Sequence, residues 1–116
     1  MDLPVLSFKQ QYRRGRFIFI ILSLSHSNKY PFVTDGNHRI RTNKLLTPSG
    51  ATIKEPSLGA IEQFGDITEH SYIEVIYKID IHQPIFAEQG NYILYVGQVI
   101  EGRRWGNLIE VVINKP

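Results

Sequence analysis

Between positions 16 and 25 the chain reads Arg-Phe-Ile-Phe-Ile-Ile-Leu-Ser-Leu-Ser. In an extended backbone successive side chains point to opposite faces. Ile18, Ile20, Leu22 and Leu24 therefore share one face; Phe17, Phe19, Ile21, Ser23 and Ser25 share the other. A strand whose first half is apolar on both faces is either central and covered or part of an interface. The stretch from Tyr72 to His82 alternates more cleanly. Ile73, Val75, Tyr77, Ile79 and Ile81 face one way, while Tyr72, Glu74, Ile76, Lys78, Asp80 and His82 face the other.

Shorter signals fill in the remaining elements. Val5 to Phe8 predicts a strand just after Pro4, and the polar segment from Gln10 to Arg14 closes on Gly15 as a hairpin turn. His38 to Leu46, polar at Arg39, Arg41 and Asn43, predicts an edge strand. Thr47-Pro48-Ser49-Gly50 predicts a tight turn after which 51–54 pairs back. Positions 26–37 and 55–70 are expected as loops, with at most one helical turn over 58–64. A strand from Tyr92 to Ile100, a turn over 101–107 and a last strand from Leu108 to Ile113 complete the chain.

The run Ile-Phe-Ala-Glu-Gln-Gly-Asn-Tyr-Ile-Leu-Tyr-Val at 85–96 is the most informative. An acidic residue, Gly90, Tyr92 and then alternating apolar positions are how a strand begins at a tyrosine corner. The Gly permits the tight backbone, and the Tyr carries a hydroxyl that can bond the loop it has just left. About seven short strands separated by Gly/Pro turns predict a single domain over 1–116, an antiparallel β-sandwich of immunoglobulin-like type.

Composition narrows the chemistry. At 116 residues the chain has room for one core, and it should bury roughly two thirds of its unfolded surface. It has no cysteine, which excludes disulfides, thiolate metal sites and cysteine nucleophiles. A small secreted domain commonly carries bridges, so their absence favours a reducing compartment, and a cytoplasmic protein is expected. The apolar run Phe17 to Leu22 is far short of the roughly 20 residues that cross a bilayer, so no membrane role is expected. A net charge of +2 does not by itself imply nucleic acid.

From Arg16 onward three blocks carry a family resemblance: the strand and turn HRIRTNKLLTPSGATI, the alternating strand IEVIYKIDI, and the closing segment PIFAEQGNYILYVGQVIEG. In these the chain resembles a family of small bacterial β-sandwich proteins catalogued as a domain of unknown function. The segment before Arg16 and the loop 55–70 depart from the pattern. The resemblance implies the fold and brings no activity with it.

The catalytic candidates are weak. His26, His38, Asp66 and His70 could gather at one end of a sandwich, yet none shows tight ligand spacing, and no metal or cofactor is expected. Ser25-His26-Ser27 are chain neighbours that point to opposite faces, no G-x-S-x-G elbow exists, and a half-exposed strand accounts for Glu74 better than glycoside chemistry with Glu69 does. No enzymatic activity is expected. Interaction fits best: Phe17, Phe19 and Ile21 form an outward apolar row, extended by Tyr72 and Ile76, that a partner protein or a second copy could cover. Trp105, exposed on a turn beside Arg103 and Arg104, has the composition of an interface anchor. The alternative is a nucleic-acid binder using Arg13, Arg14 and Arg16 beside Tyr12 and Phe17, together with the turn at Trp105.

Overall fold

A computed structural model describes residues 5–25, 38–64, 72–100 and 103–116, with the side chains at 24–25, 38–39, 59–64, 72–73, 99–100 and 103–107 outside that description. The described residues form eight strands: β1 (Val5–Arg14), β2 (Phe17–Ser25), β3 (His38–Leu46), β4 (Thr52–Lys54), β5 (Gly59–Phe64), β6 (Tyr72–Asp80), β7 (Gly90–Ile100) and β8 (Arg103–Lys115). They form two antiparallel four-stranded sheets in the orders β1-β2-β6-β5 and β4-β3-β7-β8. Among the described residues no helix is long and apolar enough to cross a membrane.

The inward rows follow the alternation of the sequence. Ile18, Ile20 and Leu22 of β2 pair with Ile79, Tyr77 and Val75 of β6, and all six are buried. In the other sheet Tyr92, Leu94 and Val96 of β7 pair with Ile113, Val111 and Ile109 of β8, again all buried. Both rows belong to one cluster with Leu6, Ile40, Leu45, Leu58, Ile81 and Phe86. Each such side chain stabilises by about 1.5–3 kcal/mol relative to exposure, so this core dominates the fold energy.

The corner expected at Tyr92 is present. Its ring is fully buried, meets Phe86 edge-on at 5.0 Å, and its hydroxyl donates to the Glu88 carbonyl at 2.7 Å. Gly90 holds φ at +123°, and a Cβ there would sit 3.0 Å from Pro48 Cβ. Both facts require glycine. The turn at 47–50 also forms, closed by the Gly50 amide on the Thr47 carbonyl at 3.0 Å, and β4 pairs back on β3.

Several expected elements differ. Gln10 to Arg14 is strand rather than turn: the hairpin loop is only Gly15 and Arg16, with Gly15 at φ +58°. The segment expected as loop or helical turn contains β5, an eighth strand whose ladder is supplied by β6. His38 to Leu46 lies between β4 and β7 rather than at an edge, although β4 covers only positions 44–46. The last strand begins at Arg103, so Trp105 lies on a strand and not on a turn.

Bulges decide which residues face outward. The β1–β2 register shifts between Phe8 and Gln10, so Leu6 points inward while Tyr12, six residues later, stands opposite outward Phe19. The β3–β7 register shifts between Thr42 and Lys44, which lets both Ile40 and Leu45 point inward despite opposite parity. One extra residue exchanges the two faces of every position beyond it.

Candidate functional site

The outward face of the β1-β2-β6-β5 sheet is aromatic. Phe17, Phe19 and Ile21 are half-buried there, as the alternation of β2 predicts, and Ile76 stands opposite Ile21. Tyr12 stacks on Phe19 with ring centroids 5.0 Å apart and planes 10° from parallel. The Lys78 ammonium lies 4.4 Å from the centre of the Phe17 ring and the Arg16 guanidinium 5.6 Å; Arg14 lies 5.7 Å from that of Tyr12. At such distances the ring faces attract the cations electrostatically.

Ion pairs rim this face. Arg16 holds Asp80 through both carboxylate oxygens, and Lys9 reaches Glu74. The Arg16 hydrogen bond, helped by the His82 backbone N–H, holds the Asp80 carboxyl down at about 2. Tyr72, the other residue expected in the row, pairs with Ser25 in the register.

The outward face of the β4-β3-β7-β8 sheet went unnoticed in the sequence. Leu46, Ile93 and Val112 are direct cross-strand neighbours in one row. In the adjacent row Lys54, Lys44, Tyr95 and Glu110 are neighbours in that order. Val112 is 54% exposed and Leu108 52%, two of the four large apolar side chains exposed to that degree among the described residues. Leu108 lies over Gly97, where a Cβ would come within 2.7 Å of its Cδ2. Lys44 Nζ sits 4.6 Å from the Tyr95 ring centre, and the Tyr95 hydroxyl bonds Glu110. Burial first, and then that acceptor, raise the Tyr95 hydroxyl above its ordinary range.

A cavity of about 290 Å³ opens between β3 and the segment 55–58, lined by Ile40, Arg41, Thr42, Pro56, Leu58 and Tyr77 among others. Glu55 at its rim has a positive φ of 45°, and Thr42 Oγ1 donates to the Pro56 carbonyl at 2.7 Å, fixing the wall. The Tyr77 hydroxyl is buried without a hydrogen-bond partner among the described residues, and burial pushes it far above the usual tyrosine range.

Trp105, Arg103 and Arg104 are not gathered with the aromatic row. Arg103 and Arg104 pair with Ile100 and Val99, and Trp105 pairs with Gln98, which is buried. Trp105 therefore lies within the β7–β8 ladder and not on the turn expected for it. These three lie in the other sheet, at the end of β7 remote from Gly90, whereas Arg14 and Arg16 lie at the end that adjoins Ile81. The two basic segments therefore do not join. His26, Asp66, Glu69 and His70 fall outside the described residues, and His38 begins β3. Among the described residues no three His, Asp or Glu side chains cluster as metal ligands. No family model matches the chain, and no curated protein or solved structure matches it either.

Proposed function

We propose that this chain is a non-enzymatic interaction domain of immunoglobulin-like topology that docks a partner protein on the outward face of its β1-β2-β6-β5 sheet. Support for the topology comes from the strand order. It equals A-B-E-D facing C′-C-F-G when the strands are lettered in sequence, with the tyrosine corner at the start of the F-equivalent β7. Support for the docking face comes from one arrangement. Phe17, Phe19 and Ile21 stay half-exposed on a strand whose reverse side already fills the core, and Tyr12 stacks beside them. Aromatic residues with arginine at the rim are the composition of interface centres. Because Arg16 and Lys9 are already paired within the chain, the attraction offered is mainly apolar, and the fitting partner presents an apolar surface with a few acidic groups for Arg14 and Lys78.

The test is Phe19→Ser in a domain whose circular dichroism is unchanged. Affinity capture with the wild-type domain, followed by cross-linking to identify the contact, should yield a partner that the variant loses. Equal capture by both, or a contact elsewhere on the domain, overturns the reading.

A nucleic-acid reading keeps one supporting observation, the cations held on the Tyr12 and Phe17 rings. A gel-shift titration at two salt concentrations decides it, because phosphate contacts lose affinity steeply as salt rises. No shift at low salt ends that alternative.

A further inference from the structure

We infer that the outward face of the β4-β3-β7-β8 sheet is a self-complementary surface whose occupant is a second copy of this chain, packed about a two-fold axis parallel to the strands and lying over β7. This goes beyond the docking reading, uses the opposite side of the molecule, and stands or falls separately.

Charge placement carries the inference. Across the sheet, Lys54 and Lys44 stand on one flank of Tyr95 and Glu110 on the other. The two lysines are direct cross-strand neighbours, an arrangement that disfavours itself unless an anion is near. Tyr95 separates them from their own Glu110. A two-fold running along the strands over β7 reverses the order of strands in the second copy, so its Glu110 falls over Lys44 of the first, one strand from Lys54, and the converse contact forms by symmetry. A two-fold running across the strands would set lysine over lysine. Only the first axis matches opposite charges.

The apolar row obeys the same operator. Leu46, Ile93 and Val112 are neighbours across β3, β7 and β8. Under the strand-parallel axis Ile93 meets its own copy and Leu46 meets Val112. The pair would cover Val112, an aliphatic side chain now more than half exposed.

Area sets the expected strength. The 11 residues of β7 give a length of roughly 36 Å, and the three overlapping strands β3, β7 and β8 give a face of about 500–600 Å² per copy. Both copies together then bury roughly 1,000–1,200 Å², the lower end of specific interfaces. A reversible dimer follows, populated at high protein concentration. In it the two aromatic faces of the β1-β2-β6-β5 sheets point outward on opposite sides, giving bivalent contact with any repeated partner.

Sedimentation velocity on the full chain, from about 10 to 500 µM, tests this in the range a small interface implies. The wild type should dimerise with concentration. Glu110→Lys alone, and Lys44→Glu with Lys54→Glu, should each weaken the dimer about tenfold or more, because like charges then meet twice. An equimolar mixture of these two variants should recover association as a heterodimer, since every contact is again opposite in sign. Val112→Lys, at an exposed position outside the core, should weaken it as well. Phe19→Ser should leave the dimer intact, which separates this surface from the docking face. A wild type monomeric throughout, variants that dimerise as the wild type does, or a mixture that stays monomeric overturns the inference.

Discussion

On the β1-β2-β6-β5 sheet Arg16 meets Asp80 and Lys9 meets Glu74 within the chain; on the β4-β3-β7-β8 sheet Lys44 and Lys54 stand on one flank of Tyr95 and Glu110 on the other. Both outward faces carry apolar centres with charged margins. Where the charges already satisfy one another, what remains for a visitor is aromatic area, and the charge asks little of the partner's identity. Where they are held apart on opposite flanks, the face is complementary to its own rotated image. Both surfaces combine apolar and charged side chains, aromatic on the first and mainly aliphatic on the second, and the placement of the charges makes them different in kind.

The largest effect separates inside from outside on a single strand. Ile20 is fully buried and Ile21 half-buried, so Ile20→Ala should cost about 2–5 kcal/mol in chemical unfolding while Ile21→Ala costs less than about 1.5. Equal losses would erase the outward status of the whole aromatic row. Next comes the start of β7, the strand that centres the second face. Gly90→Ala puts a side chain at φ +123° and against Pro48, and thermal unfolding should register a loss of about 1–3 kcal/mol. A neutral result would mean that the corner relaxes.

A smaller contrast compares the inward tyrosines, one from each sheet. Tyr92→Phe removes a hydroxyl bonded to the Glu88 carbonyl and should cost about 1 kcal/mol. Tyr77→Phe removes a buried hydroxyl with no partner among the described residues, so stability should hold or rise by up to about 1 kcal/mol. A loss at position 77 comparable to that at 92 would show that its hydroxyl is in fact bonded.

The smallest effect is acid sensitivity. Asp80 is held near 2 in the fold against an ordinary 3.8, so its contribution is present above about 4 and disappears as pH falls towards 2. Stability measured across that window should decline less in Asp80→Asn than in the wild type. Parallel declines would mean that the Arg16 pair does not persist in solution.

Much of this was legible in the sequence. Tyr92 with Gly90 announced the corner because both residue types are demanded by local geometry, and the alternation of β6 gave its buried row directly. The outward placement of Phe17, Phe19 and Ile21 followed from period two within one unbulged strand. Bulges were not legible: nothing in Lys9-Gln10-Gln11 or Thr42-Asn43-Lys44 marks an extra residue, yet these put Tyr12 on Phe19 and Leu45 in the core. Gly59 to Phe64 reads as loop because one glycine and two polar residues dilute its β signal, and pairing with β6 supplies what propensity lacks. Trp105 was misplaced because Gly102 and Gly106 punctuate the chain like a turn. The second face was invisible for a different reason. Leu46, Ile93 and Val112 are single apolar residues on three separate strands, and only the register brings them together with Lys44 and Glu110.

The decisive measurement is a photoreactive amino acid placed at position 112 or position 19 of the purified chain, with the linked peptides mapped by mass spectrometry. Irradiation at position 112 should give a covalent dimer joined to the peptide containing Leu46, and irradiation at position 19 should give no such dimer. Dimers linked through position 19, or links from position 112 to the β1-β2-β6-β5 sheet of the other copy, would contradict the assignment of one surface to self and the other to a partner.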